Sequence, residues 1–279
     1  MSQETQLVKL PRIDQRILGA FHWYIPRYIR KHFHALAVNQ SELRSVGIKP
    51  TDSLVVYANH SSWWDPLVAM FLAKNFFGEF SFHAPIDASA LEKYRIFNKI
   101  GFFPVEQETF QGAKHFLDVS LRLLAQPRTS IWITPEGRFV DTRDHSAEFM
   151  PGISHLAHSL QRRTVNNSVR TWFVPIAIEY TFWEERLPEI LAWFGQPHSV
   201  ARSESPINKA EWAERLTTNL RNTQQRLAQA AIDRDESLFE LMLSGRAGTS
   251  RIYDPWRRFW ARITGKQLDL QHGQKLRGK

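Results

Sequence analysis

The sequence contains no cysteine, and this absence removes several kinds of chemistry at once. Without thiols a protein has no disulfide, no cysteine nucleophile and no thiolate metal site. The absence is compatible with a reducing compartment such as the cytosol. Internal repeats, low-complexity tracts and Gly/Ser-rich linkers are missing as well, so we expect one domain with a sizeable core.

Long apolar runs are also missing. The run from Pro66 to Phe77 is among the longest, and Lys74 interrupts it. A helix that spans a bilayer needs about 20 predominantly apolar residues, so we expect none. Charged residues such as Glu4, Lys9 and Asp14 precede the first aromatic cluster, which is not the pattern of a secretory signal peptide.

The net charge of +8 is concentrated at the two ends of the chain. Residues 1–35 contribute +4 and residues 244–279 contribute +7, so the rest of the chain is net negative. Both ends interleave cations with aromatic residues, in 21–34 and in 253–263. Tryptophan and tyrosine favour the headgroup level of a bilayer, and Lys and Arg attract anionic lipid. We therefore expect a peripheral or monotopic protein on the cytoplasmic face of an anionic membrane.

Two alternatives apply to these basic ends. Each could form an ordinary amphipathic helix that packs on the core. Cations interleaved with aromatics also suit nucleic acid, but no recognised nucleic-acid motif accompanies them here. We expect no nucleic-acid partner.

The segment from Asn59 to Pro66 carries the clearest chemistry. Residues 53–58 are apolar and partly β-branched, which predicts a buried strand. Pro66 suits the first turn of the helix that follows, and Asp65 suits its N-cap, because a residue before proline avoids helical backbone. His60 and Asp65 then flank a strand-to-helix corner.

That corner brings a histidine and a carboxylate within reach of each other. In one continuous helix, residues five apart would point about 140° away from each other. Across a corner, the Asp65 carboxylate can hold one nitrogen of His60 while the other faces a bound hydroxyl. A histidine held in this way is a general base at neutral pH. The alternative is that Asp65 only caps a helix and His60 is an ordinary loop residue.

A second candidate segment follows another predicted strand, at 130–133. Pro135–Arg138 forms a predicted turn at its carboxyl end, where open α/β sheets place their ligand crevices. Gly137 permits close backbone approach, and Arg138 offers a planar fork for phosphate or carboxylate. Glu136 could accept hydrogen bonds from a polyol or orient Arg138. A polar turn with a surface arginine is the alternative.

Four segments resemble, in order, the motifs of the bacterial lysophosphatidic acid acyltransferase (PlsC-like) family of glycerolipid acyltransferases: Asn59–Pro66, Gly101–Gln107, Ile133–Arg138 and Val174–Ala177. The resemblance implies a catalytic pair, His60 and Asp65. It also implies substrate contacts at Glu136, Gly137, Arg138, Gly101, Gln107, Val174 and Pro175. The implied donor is acyl-CoA or acyl carrier protein, the acceptor is a lipid, and no further cofactor or metal is needed.

The chain departs from this family at Gln107, where the motif carries an arginine expected to bind the acceptor phosphate. Either Lys93, Arg95 or Lys99 supplies that charge, or the acceptor is a non-phosphate amphiphile such as a glycosylated carotenoid or other glycolipid. The third motif also lacks its usual threonine after Gly137.

Val174 and Pro175 lie in the most apolar, strand-like run of the chain, at 171–180. The resemblance associates this segment with the acyl-donor site, and a plain core strand is the alternative. Because proline has no N–H for a ladder, we expect Pro175 at a sheet edge or a bulge.

Strands and helices alternate along the chain, which predicts an α/β fold: a single layered domain with a mixed, partly parallel sheet flanked by helices, as in glycerolipid acyltransferases. Predicted helices lie at 88–99, 110–125, 152–161 and 208–232, and a further strand at 190–194. We expect an acyltransferase domain at 46–243, a basic aromatic segment at 1–45 that is helical and faces the membrane, and a basic tail at 244–279.

A metal hydrolase built from His60, Asp65, His83 and Glu136 is a remaining alternative. Zinc sites usually contain closer ligand pairs, such as two histidines four residues apart on a helix. No such pair accompanies His60, so we expect no metal.

Overall fold

A nine-stranded sheet with helices packed against it forms the framework of residues 10–163, 169–200 and 207–246, which a computed structural model describes. The strands are β1 (Ala35–Asn39), β2 (Ser53–Ala58), β3 (Ser81–Asp87), β4 (Phe102–Val105), β5 (Thr129–Ile133), β6 (Thr171–Thr181), β7 (Glu189–Phe194), β8 (His198–Val200) and β9 (Glu240–Ser244). The helices are α1 (Gln15–His32), α2 (Ser41–Arg44), α3 (Asp65–Phe76), α4 (Ala88–Lys93), α5 (Phe110–Leu124), α6 (Gly152–Arg163) and α7 (Lys209–Asp233).

The sheet is mixed. Its strand order is β4-β3-β5-β2-β6-β7-β1-β9, and β8 pairs with β6. Neighbours from β4 to β6 are parallel, whereas β7 is antiparallel to β6 and β9 is antiparallel to β1. The predicted α/β class with a partly parallel sheet is confirmed.

Strand β2 shows why the predicted strands are continuous apolar runs. Leu54 and Val56 belong to the cluster that packs with α1 and α3. The alternate residues Val55 and Tyr57 belong to the cluster that packs with α5, α6 and α7. Because helices cover both faces, successive side chains are all buried.

Most predicted elements are found within a few residues of their expected ends, as α5, α6, α7, β5 and β7 show. The predicted helix at 88–99 differs. Helix α4 ends at Lys93, and a separate 3₁₀ helix follows at Arg95–Ile100. Gly101 ends that 3₁₀ helix with φ of 102°, and a Cβ there would lie 2.1 Å from the carbonyl oxygen of Phe82. Only glycine fits this turn.

Of the two places expected for Pro175, a sheet edge or a bulge, the edge was wrong, because β6 is flanked by β2 on one side and by β7 and β8 on the other. The proline is tolerated for a local reason. Its carbonyl accepts from Gly195, in the gap between the residues that pair with β7 and those that pair with β8. The N–H and C=O of one residue point to the same side of a strand, so the missing donor falls in this gap.

Helix α1 lies in the predicted N-terminal segment and begins at its N-cap, Asp14, whose carboxylate accepts from the amides of Arg16 and Ile17. Its own residues Ile25 and Ile29 are buried against the core. Strand β1 also lies within 1–45 and pairs with β7 and β9 in the common sheet. In the described parts of the chain, no helix combines the length and apolarity needed to cross a bilayer. The predicted tail beyond residue 246 lies outside the described residues.

Candidate active site

His60 and Asp65 meet at the corner between β2 and α3. The Nδ1 atom of His60 lies 2.7 Å from Asp65 Oδ2, and that oxygen also accepts from the Ser62 amide at 2.9 Å. The predicted N-cap position was off by one residue, because α3 begins at Asp65 and its N-cap is Trp64. The carboxylate is bound to the loop instead of capping the helix.

The pair has a buried end and an accessible end. The side chain of Asp65 is 4% exposed and that of His60 is 18% exposed. Since Asp65 holds Nδ1, the other ring nitrogen of His60, Nε2, is left for a substrate. This is the arrangement that a general base needs.

The main chain of His60 is held on both sides by the turn that follows β5. Its N–H donates to Glu136 Oε2 at 3.0 Å, and its carbonyl accepts from Val140 at 2.7 Å. The imidazole also packs on Phe139, with 4.4 Å between ring centroids. The two segments with predicted chemistry therefore form one site.

Glu136 has a different partner from the one expected. Its Oε1 accepts from Arg221 of α7 at 2.9 Å, and both side chains are buried. Arg221 also donates to Gln224 and to the Ala147 carbonyl. With one oxygen on His60 and the other on Arg221, Glu136 fixes the loop; Arg138 itself is exposed.

Gln107 joins the second predicted motif to the third. Its amide donates to the Gly137 carbonyl at 3.1 Å. Gly137 has φ of 66°, and a Cβ there would lie 2.2 Å from Met150 Sδ. The close approach that we expected at this glycine is therefore made to Met150, and Arg138 follows at the surface.

The other predicted substrate residues lie deeper. Val174 and Pro175 are buried in the middle of β6, beside Val56 and Tyr57 of β2. Gly101 is buried at the turn before β4. The association of Val174 and Pro175 with the acyl donor stays a prediction.

A groove of about 740 Å³ lies beside the second motif. Its lining includes Arg95 and Lys99, two of the three cations considered as substitutes for the missing arginine, together with His115 and the acidic Glu92 and Glu106. The third cation, Lys93, instead places its ammonium 5.3 Å from the ring centroid of Tyr94.

The residues suggested for a metal site, His60, Asp65, His83 and Glu136, are arranged differently. In residues 10–163, 169–200 and 207–246, no group of three or more His, Asp or Glu side chains is placed to hold a metal ion. Both oxygens of Glu136 already have protein donors. His83 is buried in β3, and burial lowers its pKa to about 4.

Comparison with known proteins decides the family. The sequence profile described as "Acyltransferase" matches residues 37–179, about half of the chain. The chain belongs to the acyltransferase family. This confirms the resemblance at the family level, and the matched range includes His60, Asp65 and Glu136.

This acyltransferase is also similar to a solved structure, the 1-acyl-sn-glycerophosphate (LPA) acyltransferase PlsC from Thermotoga maritima. The similarity covers 77% of this chain and 80% of that chain, at 13% sequence identity and a TM-score of 0.49. No curated protein sequence gives a significant match.

Sequence reasoning missed two residues that contact the candidate site, and both lie outside the matched range. Tyr180 donates to Asp65 Oδ1 at 2.5 Å. A signal existed for it, because a tyrosine at the carboxyl end of a strand faces the usual ligand edge of a sheet. Arg221 had none, because its partner Glu136 is 85 residues away in sequence.

Proposed function

We propose that this acyltransferase moves a fatty acyl group from an acyl-CoA or acyl carrier protein thioester to a hydroxyl group of a lipid acceptor. The observation that carries the proposal is the His60–Asp65 pair, in which the carboxylate holds Nδ1 at 2.7 Å. No cofactor is needed, because the thioester is the activated reactant.

The reaction is a direct transfer within a ternary complex. His60 Nε2 takes the proton of the acceptor hydroxyl as that oxygen attacks the thioester carbonyl, and Asp65 stabilises the imidazolium that forms. The carbon–sulfur bond then breaks, and the departing thiolate takes the proton from Nε2. Ser61 and Ser62 adjoin His60, but this route requires no serine nucleophile.

The first candidate acceptor is lysophosphatidic acid or a related lysolipid. Arg138 at the surface, and Arg95 and Lys99 in the neighbouring groove, support an anionic headgroup. A non-phosphate amphiphile such as a glycolipid is the second candidate. The neutral Gln107, whose amide is used on the Gly137 carbonyl, favours it.

A membrane surface is the proposed place of the reaction, on the cytoplasmic face. Trp23 and Tyr24 of α1 are 61% and 46% exposed, and the basic residues Arg27, Arg30 and Lys31 lie on the same helix. Exposed aromatics with neighbouring cations suit the interface of an anionic bilayer. Ring contacts lead from Tyr24, which stacks on Tyr28, to Trp64, whose ring is tilted against Tyr28 and which directly precedes Asp65.

A product analysis tests the proposal. Purified protein is incubated with labelled palmitoyl-CoA or palmitoyl-acyl carrier protein and, separately, with lysophosphatidic acid, monoacylglycerol or a total lipid extract. We expect a labelled ester, identified by mass. Acylation of lysophosphatidic acid alone supports the anionic acceptor, and acylation of a neutral acceptor alone supports the alternative.

The His60→Ala variant tests the base. We expect its rate to fall by about 10²- to 10⁴-fold, since that is the usual contribution of a positioned general base. His198→Ala, on β8, is the matched control. If the wild type forms no ester with either donor, the proposed function is wrong; a His60→Ala enzyme with a tenth of the rate contradicts the role of His60.

A further inference from the structure

Tyr180 contacts the catalytic carboxylate from the end of β6. Its hydroxyl donates to Asp65 Oδ1 at 2.5 Å, whereas Oδ2 accepts from the Ser62 amide and lies 2.7 Å from His60 Nδ1. Among the described residues, the carboxylate has these three hydrogen-bond partners. Both oxygens are engaged, so rotation of the carboxylate would break at least one bond.

The ring of Tyr180 is itself held in place. It packs on Phe33, with 5.8 Å between centroids, and Phe33 meets Trp64 edge-on at 4.8 Å. Trp64 directly precedes Asp65 in the chain. The aromatic contacts therefore fix the phenol and the backbone of its acceptor together.

The same strand also anchors the start of the catalytic loop. The side-chain amide of Asn59 donates to the Ile178 carbonyl at 2.9 Å, and its oxygen accepts from the Ile178 amide at 2.8 Å. Tyr180 follows two residues later. One end of β6 thus positions the loop before His60 and the carboxylate after it.

Tyr180 is a permanent donor in this position. Burial first, and then the charge of Asp65, raise the pKa of Tyr180 well above its ordinary value. The phenol keeps its proton, and its dipole withdraws part of the negative charge that Asp65 presents to His60.

We propose that Tyr180 is a positioning residue for acyl transfer: it orients Asp65 and lowers the strength with which that carboxylate holds a proton on His60. The inference rests on the proposed function of His60 as general base. A phenol that only filled space would leave the proton affinity of the pair unchanged.

Other titratable groups surround the pair. They are His32 of α1, whose ring contacts Trp64; Glu136, which accepts from the His60 amide; Arg221 of α7, which neutralises Glu136; and Glu179, next to Tyr180 on β6. Burial raises the pKa of Glu179. A Tyr180→Phe change leaves all four in place, so it isolates the hydroxyl.

A double-mutant cycle tests the inference. Wild type, D65N, Y180F and the double variant are assayed with palmitoyl-CoA and with whichever acceptor, lysophosphatidic acid or monoacylglycerol, the wild type acylates in the product analysis; kcat and KM are measured against pH. We expect Y180F to lower kcat about tenfold with KM unchanged, because the carboxylate is then free to rotate away from His60; the size is that of one lost hydrogen bond to a charged group. In the D65N background the same change should have little effect, because it acts through Asp65.

The pH profile gives a second readout. Without the donor, the negative charge of Asp65 is less compensated and stabilises the imidazolium of His60 more strongly, so the acidic limb of kcat should move to higher pH in Y180F. Y57F, which removes another buried tyrosine hydroxyl, is the control and should leave the limb in place. If Y180F does not fold, 3-fluorotyrosine at position 180, a stronger donor, should move the limb to lower pH.

The outcomes separate the two proposals. Equal losses in both backgrounds, or an unmoved acidic limb, overturn the role of Tyr180. If His60→Ala stays active, the proposed function fails first. If His60→Ala is inactive and Y180F behaves as the wild type, only this inference fails.

Discussion

At the scale of single residues, the site depends on a chain of contacts that begins away from the chemistry. Arg221 holds Glu136, Glu136 holds the His60 amide, and Asp65 holds the His60 ring. Arg221 and Glu136 are both buried, so water cannot solvate the charge of one of them if the other is removed.

Arg221→Met should therefore lower the free energy of unfolding by about 3–5 kcal/mol, because it leaves the buried charge of Glu136 without a partner. Urea unfolding measures the change. Arg226→Met is the control on the same helix: Arg226 pairs with Glu42 at the surface, where an ion pair contributes about 0–1 kcal/mol. Equal losses for the two variants would contradict the structural role of Glu136.

The buried His83 should make the free energy of unfolding depend on pH. Burial lowers its pKa to about 4 in the folded state, against 6.5 in the unfolded chain. Between these values the unfolded chain binds more protons, so stability present above pH 6.5 is lost as pH falls through 4. Protonation of His83 in the unfolded chain should therefore lower the free energy of unfolding by about 3 kcal/mol between pH 7 and pH 4. Urea unfolding should show that the stability of His83→Gln depends less on pH than that of the wild type. An identical pH dependence in the two proteins would exclude His83 as the cause.

Sequence reasoning reached the residues whose partners are near in the chain. The His60–Asp65 pair was predicted because a strand, a proline and a helix pattern define the corner locally. It missed Tyr180 and Arg221, because the contacts they make depend on tertiary packing. For the same reason, of the two roles suggested for Glu136 only Arg138 was considered as a protein partner, whereas the structure pairs Glu136 with Arg221, which is distant in sequence and near in space.

At the scale of elements, turns are decided by backbone conformation. Gly101 joins the 3₁₀ helix to β4 with φ of 102°. The predicted single helix at 88–99 missed an earlier break, at Tyr94 between α4 and the 3₁₀ helix, since nothing in an apolar pattern distinguishes an α-helix from a 3₁₀ turn. The edge position predicted for Pro175 also failed, because local pattern does not reveal strand order.

Gly101→Ala should destabilise the protein by about 1–3 kcal/mol from backbone strain alone, with a further loss from the contact with the Phe82 carbonyl. Gly47→Ala is the control, since a Cβ there meets nothing within 4 Å, and its effect should stay within about 0.5 kcal/mol. Thermal unfolding followed by circular dichroism compares them. A Gly101→Ala protein as stable as the control would contradict the described turn.

At the scale of the whole molecule, alternation of strands and helices was enough to predict the layered α/β class. It was not enough to order nine strands, because parallel neighbours such as β2 and β6 pair across more than a hundred residues. Tertiary packing also brings α1, with its exposed aromatics, close to the corner that holds His60 and Asp65.

Membrane contact through α1 gives the prediction at this scale. Trp23→Ala should weaken sedimentation with anionic vesicles about tenfold, the size expected for one large side chain leaving an apolar phase. Turnover of a detergent-dispersed acceptor should change little. Ile232→Ala is the control, because Ile232 of α7 is 74% exposed and lies outside the basic helix. Equal binding by both variants would show that α1 does not contact lipid.

Strand β1 lies between β7 and β9, and this placement has a consequence for biosynthesis. A ribosome delivers the chain from its amino end, so β1 leaves the exit tunnel well before either neighbour exists. Until residue 244 has emerged, at least one edge of β1 has no neighbouring strand. An unpaired strand edge can pair with other chains. Translation pausing after β2 would therefore lengthen the period in which a nascent chain needs a chaperone.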